Sequence, residues 1–205
     1  INNTAIQYIN NVHIQLLATI TRMERNFFSE ISVLSSIKSE KLTDFKNVDE
    51  YEKCLLHIES LINSSILLYK NKFFNQSLFI TISTIEEIAK AEVCLYRGLQ
   101  KESKTNVKRR KDGLYSHKTK HIVSANEITF KYLKSEKRIG KNKISIILNN
   151  LNNGTYSIIR EKSLYFENID GICKTPLNEF TEIEVRDLLL ICIELFEDRL
   201  FGAYA

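Results

Sequence analysis

This chain of 205 residues has 1 Pro, 6 Gly and no Trp. A sandwich or barrel of many strands needs a turn every ~8–12 residues, and Pro and Gly are the usual turn formers. Their scarcity argues against that class and favours long helices. Long apolar runs are missing too. The longest, such as Leu188–Ile193, fall far short of the ~20 residues a membrane-spanning helix needs, so no membrane partner is expected. The four cysteines are Cys54, Cys94, Cys173 and Cys192, and no two share the CxxC spacing of a metal or redox site. Three lie in apolar helical patterns. The expectation is free buried thiols in a reducing cytosol, and hence a cytoplasmic protein. No secretory signal pattern is seen, but the chain opens on Ile1 rather than Met, so its true start stays open.

What is present is an ordinary globular balance, 43% hydrophobic and 26% charged. A chain of this length buries a sizeable core without metal or disulfide staples. The net charge of +4 hides an asymmetry. Residues 101–143 hold 14 Lys/Arg against 4 Asp/Glu, and the remainder is net acidic. Such a segment suits a polyanion, although charge alone also fits a solvated surface loop.

Apolar periodicity predicts one long helix or a pair over 4–38, through Ile6, Ile9, Leu16, Leu17 and Ile20, then a polar connector over 39–47. Asn47 followed by Glu50 reads as a capped start for a helix to Lys70. After a short turn, a helix is expected over 73–98. Residues 99–112 read as a basic loop, 113–136 as a helix and 137–142 as a basic turn. A helix over 143–152 should end at Asn152-Asn153-Gly154. Residues 155–166 fit helix or strand, and 168–176 read as a loop. Thr181-Glu-Ile-Glu184 is a capping box opening a last helix over 182–203.

Three motifs carry candidate chemistry. In Glu86-Glu87-Ile-Ala-Lys90, Glu86 falls on the apolar face with Ile82 and Ala89, where a carboxylate must be paired. Lys90, one turn on, is its expected partner. These carboxylates can also orient a neighbouring Arg or His. The second motif runs from Arg109 to His121 and gathers Arg110, Lys111, Tyr115, His117, Lys118, Lys120 and His121. Imidazole titrates near ~6.5 and moves protons at neutral pH, and Arg grips phosphate with two hydrogen bonds. Cleavage of RNA through its 2′-OH needs both functions. His117 and His121 are four apart and face one way on a helix. Zinc would need further ligands, and no nearby Cys or carboxylate completes a set, so no metal and no cofactor is expected. The third motif is Arg160-Glu-Lys-Ser-Leu-Tyr165. A phenol with pKa near ~10 is a poor base, but it can hydrogen-bond a phosphate or brace the Arg.

Three segments in order, Ser77–Lys90, Tyr115–His121 and Ile159–Phe166 with Pro176 downstream, resemble the AbiV-family abortive infection proteins of the HEPN superfamily. The resemblance covers about residues 48–200. It implies an all-α, HEPN-like helical bundle over 48–205, preceded by an N-terminal helical extension over 1–45 that carries no matching motif. It also implies an antiphage role in the cytoplasm. Many HEPN relatives are homodimeric, metal-independent endoribonucleases whose signature is an Arg, a short spacer and a His meeting across the dimer.

Arg110 and His117 fit that signature literally, with six residues between them. Arg160 sits where HEPN proteins usually place theirs, but Tyr165 stands in for the His. The expected catalytic set is therefore His117, Arg110, Arg160 and Tyr165. Glu86, Glu87, Lys90 and His121 are expected to orient them, and Arg109, Lys111, Lys118 and Lys120 to hold RNA. The leading expectation is a ribonuclease that shuts down translation or RNA metabolism by acting on tRNA, mRNA or rRNA, with a phage-encoded protein as activator. One alternative is a module that binds RNA or a phage protein without cutting. Another is a helical oligomer with no site.

Overall fold

The computed structural model describes residues 32–39, 44–99, 105–125, 133–176 and 179–201. Most of the expected extension over 1–45 lies outside these. Among the described residues seven helices dominate: α1 (Val48–Lys70), α2 (Phe74–Leu99), α3 (His117–Ser124), α4 (Leu133–Ile139), α5 (Lys141–Asn153), α6 (Thr155–Lys162) and α7 (Glu182–Phe196). Four short strands complete the set: β1 (Ile37–Ser39), β2 (Thr105–Val107), β3 (Glu167–Ile169) and β4 (Ile172–Lys174). The fold is all-α.

The long α1 and α2 pack together, and α7 and α3 both pack on α2. Each start has a local cause. The Asn47 side chain accepts from the Glu50 amide at 2.9 Å, while the Glu50 carboxylate accepts from the Lys46 amide at 2.8 Å. Thr181 and Glu184 form the expected capping box on α7. At the end of α1, Lys72 adopts a left-handed φ of 64°. Its amide donates to Tyr69 O and that of Phe73 to Leu68 O, which stops the helix and turns it into α2.

Ile58, Ile82, Ile85, Ile88, Leu188, Ile191 and Leu195 form the centre of the main core and are fully buried. A smaller cluster of Leu34, Ala89, Val93, Leu114 and Val123 lies beneath the basic segment. Two buried cations tie the ends of the fold to α2 and α3. Arg97 Nε donates to Leu34 O at 2.8 Å, and its guanidinium reaches Asp112 at 2.9 Å. Arg199 binds Glu92 and the carbonyls of Val123 and Ser124, all within 2.8 Å.

Several expected elements are corrected. Residues 37–39 continue no helix; they form β1, which pairs in parallel with β2 inside the expected 99–112 loop. The β-branched Ile37, Thr105 and Val107 suit a strand, and only the partner segment makes that preference decisive. The single helix over 113–136 is broken. Gly113–Tyr115 is a 3-10 turn, and Ser116 caps a new helix by accepting from the Thr119 amide. The basic turn at 137–142 is instead the end of α4 and the start of α5, jointed at Gly140 with φ 85°. Residues 155–162 are helix, which settles that ambiguity. The loop at 168–176 contains the β3–β4 hairpin, turned by Asp170 (φ 52°) and Gly171 (φ 77°), an Asp-Gly pair suited to such a turn. The last helix gives way at Glu197–Phe201 to a π-helical turn.

Candidate functional site

Glu86 lies mid-way along α2 and is buried on the face that meets α3 and α6. Three residues of α3 converge on its carboxylate, because positions 117, 120 and 121 share one helical face. Glu86 Oε2 is 2.7 Å from His117 Nδ1 and 2.7 Å from Lys120 Nζ. Oε1 is 3.2 Å from His121 Nε2 and 3.8 Å from Arg160 Nε of α6, within reach of charge attraction but not aligned for hydrogen bonds. The circle closes where the Arg160 guanidinium lies 3.2 Å from His117 Nε2. Arg160 also stands over the Phe79 ring, 5.7 Å from its centre.

The position of α6 depends on Gly154, whose φ of 85° separates α5 from α6. A Cβ there would meet the aliphatic stem of Lys118 at 3.5 Å, so the joint also seats α6 against α3. Arg160 thereby reaches α3 from a neighbouring helix.

The hydrogen bonds fix the protons. Arg only donates, so His117 Nε2 must present its lone pair to Arg160, and the ring proton sits on Nδ1 and points at Glu86. His121 Nδ1, on the other side of its ring from Glu86, lies 3.3 Å from Ser157 Oγ. Burial pushes the Glu86 carboxyl up, but His121, the Lys120 ammonium and His117 outweigh it and hold the group at about 2. Glu86 is thus ionised throughout the physiological range. One carboxylate faces two fixed cations, so the site as a whole favours an anion.

Exposure separates the roles. The side chains of His117 (42% exposed) and Arg160 (19%) open to solvent, whereas Glu86 (5%) and His121 (0%) do not. A ligand would meet the imidazole and the guanidinium, with Glu86 behind them.

The expected residues fall into groups. Glu86, His117, Lys120, His121 and Arg160 come together. Lys120 is no surface cation for RNA: it is buried and bound to Glu86. Lys90 pairs with Glu87, not with Glu86, whose carboxylate is turned into the α3 face and bound by Lys120. The Glu87 and Lys90 charges act on the Cys54 thiol of α1, away from the site. Arg110 is exposed on the 3-10 turn Arg109–Lys111 and lines a groove with Lys108, Arg109 and Tyr115. Tyr165 follows α6 and is exposed, and among the described residues it makes no hydrogen bond to the cluster. Lys111 and Lys118 are exposed. Each motif therefore contributes one end: His117 from the first, Arg160 from the second. Phe79 and Ser157 were not anticipated. Phe79 is seven residues before Glu86, so the helical repeat places both on one face, and Ser157 is one turn before Arg160.

The family model described as AbiV matches residues 48–189, which include every residue of this cluster. The chain belongs to the AbiV family. It is thus an abortive-infection protein of the HEPN type, and the helical bundle is the HEPN fold. Comparison with curated proteins found no match, and neither did comparison with solved structures. In this AbiV-family chain no described helix is long and apolar enough to cross a membrane. Among the described residues, no group of three His, Cys, Asp or Glu is arranged to hold a metal ion.

Proposed function

We propose that this AbiV-family protein is an endoribonuclease that cuts RNA through its own 2′-OH and so shuts down an infected cell. The observation carrying this reading is the Glu86–His117–Arg160 arrangement. Glu86 fixes the Nδ1–H tautomer, which aims the Nε2 lone pair outward beside a guanidinium. A carboxylate that orients an imidazole in this way makes it a general base.

In this mechanism a phosphodiester takes the Arg160 guanidinium, which frees His117 Nε2. Nε2 accepts the 2′-OH proton as the 2′-oxygen attacks phosphorus. The bond from phosphorus to the 5′-oxygen breaks, giving a 2′,3′-cyclic phosphate and a 5′-hydroxyl end. Arg160 stabilises the charge on the non-bridging oxygens. One imidazole cannot flank both the attacking and leaving oxygens of an in-line displacement. A second copy of the chain would supply the proton to the leaving oxygen, so the active form is a homodimer. A phage-encoded protein is the proposed trigger, in the cytoplasm of the infected cell.

The test is cleavage of cellular tRNA, mRNA and rRNA by purified protein, with and without lysate from infected cells. Wild type should cut, and His117→Ala and Arg160→Ala should each lose about 100-fold or more. Equal cleavage by all three removes the site assignment. One observation favours a second reading: the lone pair of the base is already occupied by Arg160. The cluster would then be structural, and the protein would bind RNA or a phage protein without cutting. Salt-steep RNA binding with no cleavage product under any condition decides for that reading.

A further inference from the structure

The groove formed by Lys108, Arg109, Arg110 and Tyr115 stands apart from the Glu86 cluster. The Arg109 guanidinium lies over the Tyr115 ring, 4.5 Å from its centre, so cation and ring share one surface. Lys108, Arg109, Arg110 and Lys111 follow one another, Lys108 capping the 3-10 turn formed by the other three, and all four are exposed. Among the described residues, none of these cations pairs with a carboxylate. The one acid in the segment, Asp112, is buried and committed to Arg97 and to the Leu114 amide. The local charge is therefore uncompensated.

The groove is also rigidly founded. Asp112 is locked to the buried Arg97, and Leu114 is sunk into the small core cluster. Gly113 lies close against this cluster, since a Cβ there would meet Leu34 Cδ2 at 2.9 Å and force that side chain to shift. The backbone that carries the charges is thus anchored, and Arg109 and Tyr115 are held against each other before binding.

We propose that this groove is a nucleotide subsite for single-stranded RNA: one base stacks on the Arg109–Tyr115 platform and its phosphates sit on Lys108 and Arg110. Tyr115 is two residues from His117, a separation of at most about 7 Å between Cα atoms. That is about the length of one extended nucleotide, so the linkage next to the stacked base falls at His117 and Arg160. A paired base keeps its faces inside a helix and cannot stack on an aromatic ring, so the platform selects unpaired strands. The placement of the cut rests on the ribonuclease reading; the binding does not.

The experiment uses the full chain carrying His117→Ala, so that binding is measured without cleavage. Fluorescence anisotropy with a short labelled single strand and a matched duplex is followed across a salt series. The single strand should bind at least ten-fold tighter. Tyr115→Ala should weaken it by about 5- to 100-fold, whereas Tyr115→Phe, which keeps the ring, should bind like the parent. Arg110→Gln should lower the salt slope by about 0.7, the loss of one phosphate contact. Equal affinity for duplex and single strand overturns the proposal, as does loss of binding in Tyr115→Phe equal to that in Tyr115→Ala. Selective single-strand binding by a wild-type protein that cuts nothing, with or without lysate from infected cells, sinks the ribonuclease reading and leaves the subsite standing. Cleavage that is indifferent to strandedness and to Tyr115→Ala does the reverse.

Discussion

Replacing Glu86 by Gln removes one charge and almost no volume, which makes it the sharpest probe of the buried cluster. In the folded protein the carboxyl is held at about 2, against an ordinary value of 4.5. That difference corresponds to about 3 kcal/mol of preference for the ionised form. Because the folded value is depressed, the stabilisation is fully present above about pH 4.5 and is lost as the pH falls toward 2. At pH 7, Glu86→Gln should lose about 3 kcal/mol, since Lys120 remains buried with its counter-charge gone. For a chain of this size that is a fall of about 6–12 °C in Tm. Urea titrations of both proteins from pH 7 down to pH 2.5 read the effect. The gap should narrow steadily below pH 4.5 as the unfolded wild-type chain takes up a proton at Glu86 that the folded chain refuses until about 2. Adding Lys120→Met to Glu86→Gln should recover much of the loss, because an apolar side chain replaces a stranded ammonium. A loss under 1 kcal/mol at pH 7, or a gap that does not change with pH, refutes the reasoning.

Asp112→Asn should cost about 3 kcal/mol in urea titration, because it breaks the buried pair with Arg97 beneath the basic groove. Lys72→Gly should instead stabilise by about 1 kcal/mol, since the residue holds a left-handed φ of 64° that glycine adopts without strain. With a thiol reagent on the native protein, Cys173, which is exposed, should react at once. Cys192 should stay protected until unfolding, because burial pushes its thiol well above the ordinary range. In the RNA-cleavage assay Tyr165→Phe should behave as wild type, because the phenol lies outside the Glu86 cluster, and a loss comparable to that of Arg160→Ala would contradict that placement.

Much of the fold was legible because its signals are local. The Asn47 and Thr181 caps, the 3.6-residue repeat of α1, α2 and α7, and the break at Gly154 each act within a few residues of sequence. The Asp170-Gly171 hairpin carries a local turn signal of its own, set inside a polar stretch that otherwise reads as loop. The β1–β2 pair was not readable. Each strand is three residues long, and the two partners stand far apart in the chain. Nothing within either segment specifies the other.

The site divides in the same way. Glu86 on an apolar face already demanded a partner, and the spacing of His117, Lys120 and His121 already put them on one side of a helix. The choice of partner was decided elsewhere. Lys90 has suitable spacing but turns to Glu87, while Lys120, 34 residues on, takes the buried carboxylate. The sequence joins Arg110 to His117 and Arg160 to Tyr165 by proximity along the chain. The packing of α3 and α6 against α2 dissolves both pairs and joins His117 to Arg160, 43 residues apart. Periodicity determines which face a side chain occupies. Only the docking of one helix on another determines what that face meets, because the contact energy belongs to the pair and not to either segment.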